Sequence, residues 1–123
     1  MKDELWERGD KVRRQVLGDE HVDRSQATRT SFNGDLVDLI TRYAWGEIWS
    51  RPGLDLKTRS CINVAMLVAL GRDEELALHL RGALNNGVTR EEIKEILLQA
   101  AVYCGLPAAN SAFRVASKVL AEL

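Results

Sequence analysis

Proline is scarce, with only Pro52 and Pro107 in 123 residues, so little interrupts long helices. The two cysteines, Cys61 and Cys104, stand far apart in apolar runs and form no Cys-x-x-Cys pair. That argues against a disulfide framework and leads to the expectation of buried, reduced thiols that serve packing. Only His21 and His79 offer imidazole, and without a His-x-x-x-His pair no metal site is expected. Neither sign of charge dominates: 17 basic residues face 18 acidic ones, dispersed along the chain, so neither a nucleic-acid nor a membrane partner is expected. The most apolar run, residues 61–70, contains Asn63 and falls well short of the roughly 20 residues that span a bilayer. The start, Lys2-Asp-Glu-Leu-Trp-Glu-Arg8, is charged and lacks an apolar signal segment, which leads to the expectation of a cytoplasmic protein. Its Lys-Asp-Glu-Leu run is an address only at a C-terminus and is coincidental.

What remains is helical. No stretch alternates apolar and polar residues long enough for a strand, so the class is all-α, about six helices in a single domain spanning residues 1–123. A first helix is expected over about 5–17, then a polar arm or loop over about 19–31 that reaches toward a neighbouring subunit. The helical core, from residue 34 onward, begins with a helix over about 34–49 that carries Leu36, Val37, Leu39, Ile40, Tyr43, Ala44, Glu47 and Ile48 and stops at Ser50-Arg-Pro-Gly53. The next, about 56–70, can be capped by Asp55 and is apolar nearly all round, as expected of a central helix. Helices over about 72–86, 89–104 and 107–122 follow. Asn85-Asn86-Gly87 supplies a left-handed stop between the first two, and Thr89 with Glu92 a capping box.

His79 is the residue best suited to chemistry. At about 100° per residue it shares a stripe with Arg72, Leu76 and Ala83, so an ionisable ring points where apolar residues point. Its ordinary pKa near 6.5 lets it give or take a proton, and Glu75 and Arg72 lie one and two turns before it. The alternative is a core histidine hydrogen-bonded to its neighbours. Glu47, within Trp45-Gly-Glu-Ile-Trp49, is a second proton-transfer candidate if partly buried, or an exposed helix-terminal acid if not. Arg42, Arg51 and Arg59 flank this region with paired donors suited to carboxylates, or are surface residues.

Several blocks together resemble the carboxymuconolactone decarboxylase family. They are Ile40-Thr-Arg-Tyr-Ala-Trp-Gly-Glu-Ile-Trp-Ser-Arg-Pro-Gly-Leu-Asp55, Lys57-Thr-Arg59, Ala65-Met-Leu-Val-Ala-Leu-Gly-Arg72, the His79 segment, and Ala100-Ala-Val-Tyr-Cys-Gly-Leu-Pro-Ala-Ala-Asn110. The likeness covers nearly the whole chain and looks like the 4-carboxymuconolactone decarboxylase branch. It implies an alkylhydroperoxidase D-like helical bundle assembled as a ring-like homo-oligomer, commonly a hexamer. It also implies cofactor-free loss of carbon dioxide from a lactone dicarboxylate in the protocatechuate branch of the β-ketoadipate pathway. The dithiol motif of the wider superfamily, Cys-x-x-Cys-x-x-x-His, is missing here. Registered on His79, its cysteines fall on Arg72 and Glu75 and its upstream glutamate on Ser60, so a thiol-dependent peroxidase is disfavoured. A decarboxylase-like protein acting on a related lactone and a non-catalytic helical assembly are the remaining alternatives.

The implied chemistry distributes roles. The substrate is an unsaturated five-membered lactone with a carboxylate on the ring carbon and an acetate arm. The electron pair left by carbon dioxide spreads into the lactone carbonyl, so the enzyme must hold a dianion, stabilise growing oxygen charge and protonate ring carbon. His79 is expected to donate to ring carbon or lactone oxygen, with Glu47 orienting it or relaying the proton. Arg72 is the first choice of carboxylate anchor, with Arg42, Arg51 and Arg59 as further candidates. Trp45 and Tyr43 would wall the pocket.

Overall fold

A computed structural model describes residues 2–123, and every regular element among them is helical. The chain forms two compact units, Met1–Asp55 and Leu56–Leu123.

In the first unit, α1 (Glu4–Leu17) is followed by α2 (Asp19–Ala27), and α3 (Gly34–Leu39) runs on into a π-helical segment, Ile40–Trp49. Asp3 caps α1, its Oδ1 accepting from the Trp6 N–H at 2.9 Å. The stretch expected as an arm or loop is thus helical over Asp19–Ala27. Val22 is its sole buried residue, and nine residues are too few for a helix to persist alone in water. Polar bonds to α1 supply the support. Arg14 donates to Asp10 (3.0 Å), Asp19 (3.1 Å) and Asp23 (2.8 Å), and the Gln26 amide donates to Asp10 at 3.0 Å.

α1 lies against the π-helical segment at backbone distance. A Cβ on Gly9 would run into the Thr41 carbonyl oxygen, and one on Gly46 would lie 2.6 Å from the Leu5 carbonyl oxygen. Glycine at both positions lets the two backbones meet. Thr41, Trp45 and Gly46 are buried on this side. Leu36, Leu39, Ile40, Tyr43 and Ile48 are exposed, so much of the apolar face read along residues 34–49 is uncovered in the single chain.

The second unit comprises α4 (Leu56–Leu70), α5 (Asp73–Asn85), α6 (Arg90–Cys104) and α7 (Leu106–Ala121). Its core joins Val64 and Val68 of α4 to Leu76, Leu80 and Ala83 of α5, Ile93 and Leu97 of α6, and Ala112, Ala116 and Val119 of α7. Burying a Leu, Ile or Val side chain of this kind contributes about 1.5–3 kcal/mol. Gly87 turns the chain at φ +91°, a conformation that disfavours other side chains. The expected capping box is present: Thr89 Oγ1 accepts from the Glu92 N–H at 3.1 Å, and Glu92 Oε1 accepts from the Thr89 N–H at 2.9 Å. α4 is not enclosed, because Ile62, Met66 and Leu70, four residues apart on one stripe, are 42%, 51% and 71% exposed. An all-round apolar helix whose outer stripe remains open points to an interaction surface.

Candidate active site

The first unit holds Arg42, Tyr43, Trp45, Glu47 and Arg51. The Arg42 guanidinium is engaged by Asp3, with Nη2 donating to Oδ2 at 2.7 Å and Nε to Oδ1 at 3.2 Å. Asp3 raises the pKa of Arg42, and Glu47 contributes more weakly in the same direction. Both arms of its fork are therefore committed within the chain. Trp45 is buried and stacks on Trp49 with ring centroids 4.7 Å apart. Tyr43 and Glu47 are exposed, so the partial burial considered for Glu47 is not present.

Glu47 instead faces an open cavity of about 500 Å³ with Arg51, Ser50 and Ile48 on one wall and Leu5 and Arg8 of α1 on the other. The Ser50 hydroxyl donates to the Gly46 carbonyl. Arg8 was not singled out from the sequence. The signal that could have found it is the glycine pair Gly9 and Gly46, which brings this face of α1 against residues 47–51.

The second unit holds Arg59, Arg72 and His79. His79 is half-buried on α5, between the buried residues Leu76 and Leu80, and its Nδ1 is shielded from solvent. One turn earlier, Glu75 is kept ionised below the usual carboxylate range by its own backbone N–H, then by Arg72, with a smaller contribution from His79. Imidazole and carboxylate therefore sense one another along the helix. Arg72, at the N-cap of α5, is exposed and paired with Glu75 at 3.2 Å, as in the solvated ion pair that competes with an anchoring role. Arg59 is half-buried on α4.

Cys61 and Cys104 are both reduced, but only Cys61 is even partly buried. Cys104 continues the stripe of Ile93, Leu97 and Ala100 but is exposed at the last residue of α6, correcting the expectation of two buried thiols. Both line an apolar groove of about 550 Å³ between α4 and α6, with Ile62, Ala65, Ile96 and Tyr103. Among the described residues, no three His, Cys, Asp or Glu side chains are grouped to hold a metal ion, and no helix is long and apolar enough to cross a membrane.

The chain is 49% identical to 4-carboxymuconolactone decarboxylase of Acinetobacter baylyi, over all of this chain and 92% of that protein. It is 44% identical to nitrosuccinic acid decarboxylase npaB of Metarhizium robertsii, over 97% of this chain and 83% of the relative. A 4-carboxymuconolactone decarboxylase sequence of Pseudomonas putida is 48% identical over 34% of this chain and 88% of its own length. Residues 34–118 match the Carboxymuconolactone decarboxylase family, and the chain belongs to that family.

Proposed function

We propose that this protein decarboxylates 4-carboxymuconolactone to the β-ketoadipate enol-lactone in protocatechuate catabolism, without a cofactor. The full-length 49% identity to the Acinetobacter baylyi enzyme carries the reading. The carbon–carbon bond to the ring carboxylate breaks and carbon dioxide departs. Its electron pair moves through the ring double bond into the lactone carbonyl, and the resulting furanolate takes one proton at the ring carbon beside that carbonyl. His79 is assigned as donor to ring carbon or lactone oxygen, a role suited to a half-buried imidazole whose helix neighbour is an ionised acid. Glu47 is assigned as a second proton-transfer or orienting acid. Arg72 is assigned first to the carboxylates, with Arg42, Arg51 and Arg59 as further candidates. Trp45 and Tyr43 are assigned to the pocket wall.

The test is carbon dioxide release and enol-lactone formation from freshly generated substrate, with His79→Ala and Glu47→Gln run alongside wild type. General acid catalysis contributes about 10²–10⁴ in rate, so His79→Ala is expected to lose at least about a hundredfold in kcat while remaining folded. Near-full turnover would remove His79 from the mechanism.

The nitrosuccinic acid decarboxylase relative supports a second substrate reading. Nitrosuccinic acid also carries a carboxylate beside an electron-accepting group, there a nitro group, so a related acid or lactone is the alternative if the first assay fails. For assembly, we assign the exposed stripe Ile62, Met66 and Leu70 to contacts between copies of the chain in a ring-like oligomer, a hexamer, in the cytoplasm. Sedimentation of Met66→Glu beside wild type tests this, with dissociation expected.

A further inference from the structure

We propose that Asn63 of α4 donates a hydrogen bond from its side-chain amide to the lactone oxygen on which charge grows as carbon dioxide leaves. The inference rests on the decarboxylase reading and uses residues of the second unit alone. His79 can deliver the proton to ring carbon, but until that proton arrives the furanolate oxygen needs a donor of its own.

Within the apolar run of residues 61–70, Asn63 is the sole side chain with an amide. It is half-buried, and among the described residues its amide makes no hydrogen bond. An amide drawn from water without a partner costs stability, so packing gives no reason for asparagine at this position. Its polar atoms are not sealed from solvent, so a ligand can reach them.

Two ties between α4 and α5 place Asn63 against His79. The Arg72 N–H donates to the Leu67 carbonyl at 3.1 Å, and the Asn86 amide donates to Ser60 Oγ at 2.8 Å and to the Leu56 carbonyl at 3.3 Å. Seven residues make nearly two turns, so Arg72, His79 and Asn86 differ by only about 20° each around α5. His79 thus lies on the stripe that both ties hold against α4, midway between them. On the antiparallel α4, the midpoint of Ser60 and Leu67 falls at Asn63 and Val64. Val64 turns into the core, whereas Asn63 sits about 100° around the helix from it, toward the exposed stripe of Ile62, Met66 and Leu70. An imidazole that can give a proton and an amide that holds charge without giving one therefore share a single stretch of the α4 and α5 seam.

The experiment combines lactone kinetics, thermal unfolding and sedimentation with binding of tetronate, an unreactive five-membered lactone whose anionic enolate resembles the furanolate. Asn63→Leu is expected to lower kcat about a hundredfold or more, the scale of a lost oxyanion donor, with a much smaller change in KM. Its melting temperature should equal or exceed that of wild type, since an unpartnered amide has been removed. A purely structural asparagine would show the reverse, with lower melting and kcat retained. Asn63→Asp, similar in shape but without the amide donor, should lose at least as much turnover while sedimenting as wild type does. Turnover within about threefold of wild type in either variant would overturn this inference and leave the decarboxylase reading intact. Dissociation of both variants would assign Asn63 to assembly and overturn it as well. If wild type does not turn over the lactone, the decarboxylase reading fails and tetronate decides alone. Binding to wild type about tenfold or more tighter than to Asn63→Leu supports the donor, and equal binding, or binding to neither, overturns it.

Discussion

Arg42 grips Asp3 by two donors, at 2.7 and 3.2 Å, and the same Asp3 carboxylate caps the first turn of α1 through the Trp6 N–H. One acid thereby starts a helix and ties it to the π-helical segment 39 residues further along the chain. Arg42→Gln is accordingly predicted to lower the melting temperature while changing kcat/KM by less than about threefold, because the lost interaction costs folding before catalysis. Thermal unfolding and lactone kinetics on one preparation check this. A large KM increase with unchanged melting would return Arg42 to the substrate.

Acid should release the same clasp. The Asp3 carboxyl is held below its usual value, chiefly by Arg42 and then by the Trp6 N–H. Asp38 is likewise lowered, chiefly by Arg29. A depressed folded-state pKa means that the stabilisation is complete above the unfolded value near 3.8 and is lost as pH falls through the folded value. Stability is therefore predicted to decline from about pH 4 downward, with a shallower decline in Asp3→Asn. Urea midpoints measured across that range provide the check.

Gly9→Ala should destabilise the protein by about 1–3 kcal/mol, the usual cost of forcing atoms into a filled space. The atom in the way is the backbone oxygen of Thr41, which cannot rotate aside as a side chain would. Chemical denaturation reads the change directly. An unaltered midpoint would mean that α1 does not approach the π-helical segment as closely as described.

Replacing both thiols, Cys61→Ser with Cys104→Ser, should leave decarboxylation within about twofold of wild type, since the proposed electron flow needs no sulfur. Peroxide reduction should be negligible in either protein. A thiol-dependent peroxidase rate that vanishes in the double variant would restore the redox alternative.

The second unit was largely legible in the sequence because local signals determine it. α4 occupies Leu56–Leu70 as its apolar run suggests, Gly87 makes the left-handed stop, and Thr89 with Glu92 closes the capping box. The first unit was harder to read. α2 has only Val22 to bury, so it carries no periodic apolar signal, and its support comes from Arg14 and Gln26 bonds that pattern cannot disclose. The half-buried place of His79 follows from the helical period. The exposure of Glu47 and the facing position of Arg8 do not, because the i→i+5 turns of Ile40–Trp49 shift the faces expected of an α-helix.

Glu92 is occupied twice: it accepts the Thr89 N–H that starts α6 and also pairs with Lys57 of α4 at 3.2 Å. Fraying at the start of α6 therefore loosens a tie to the first turn of α4 as well. In native-state hydrogen exchange, the amides at the two helix starts should share an opening event instead of exchanging as independent ends. The boundary between two helices then behaves as one cooperative joint, held by a single carboxylate.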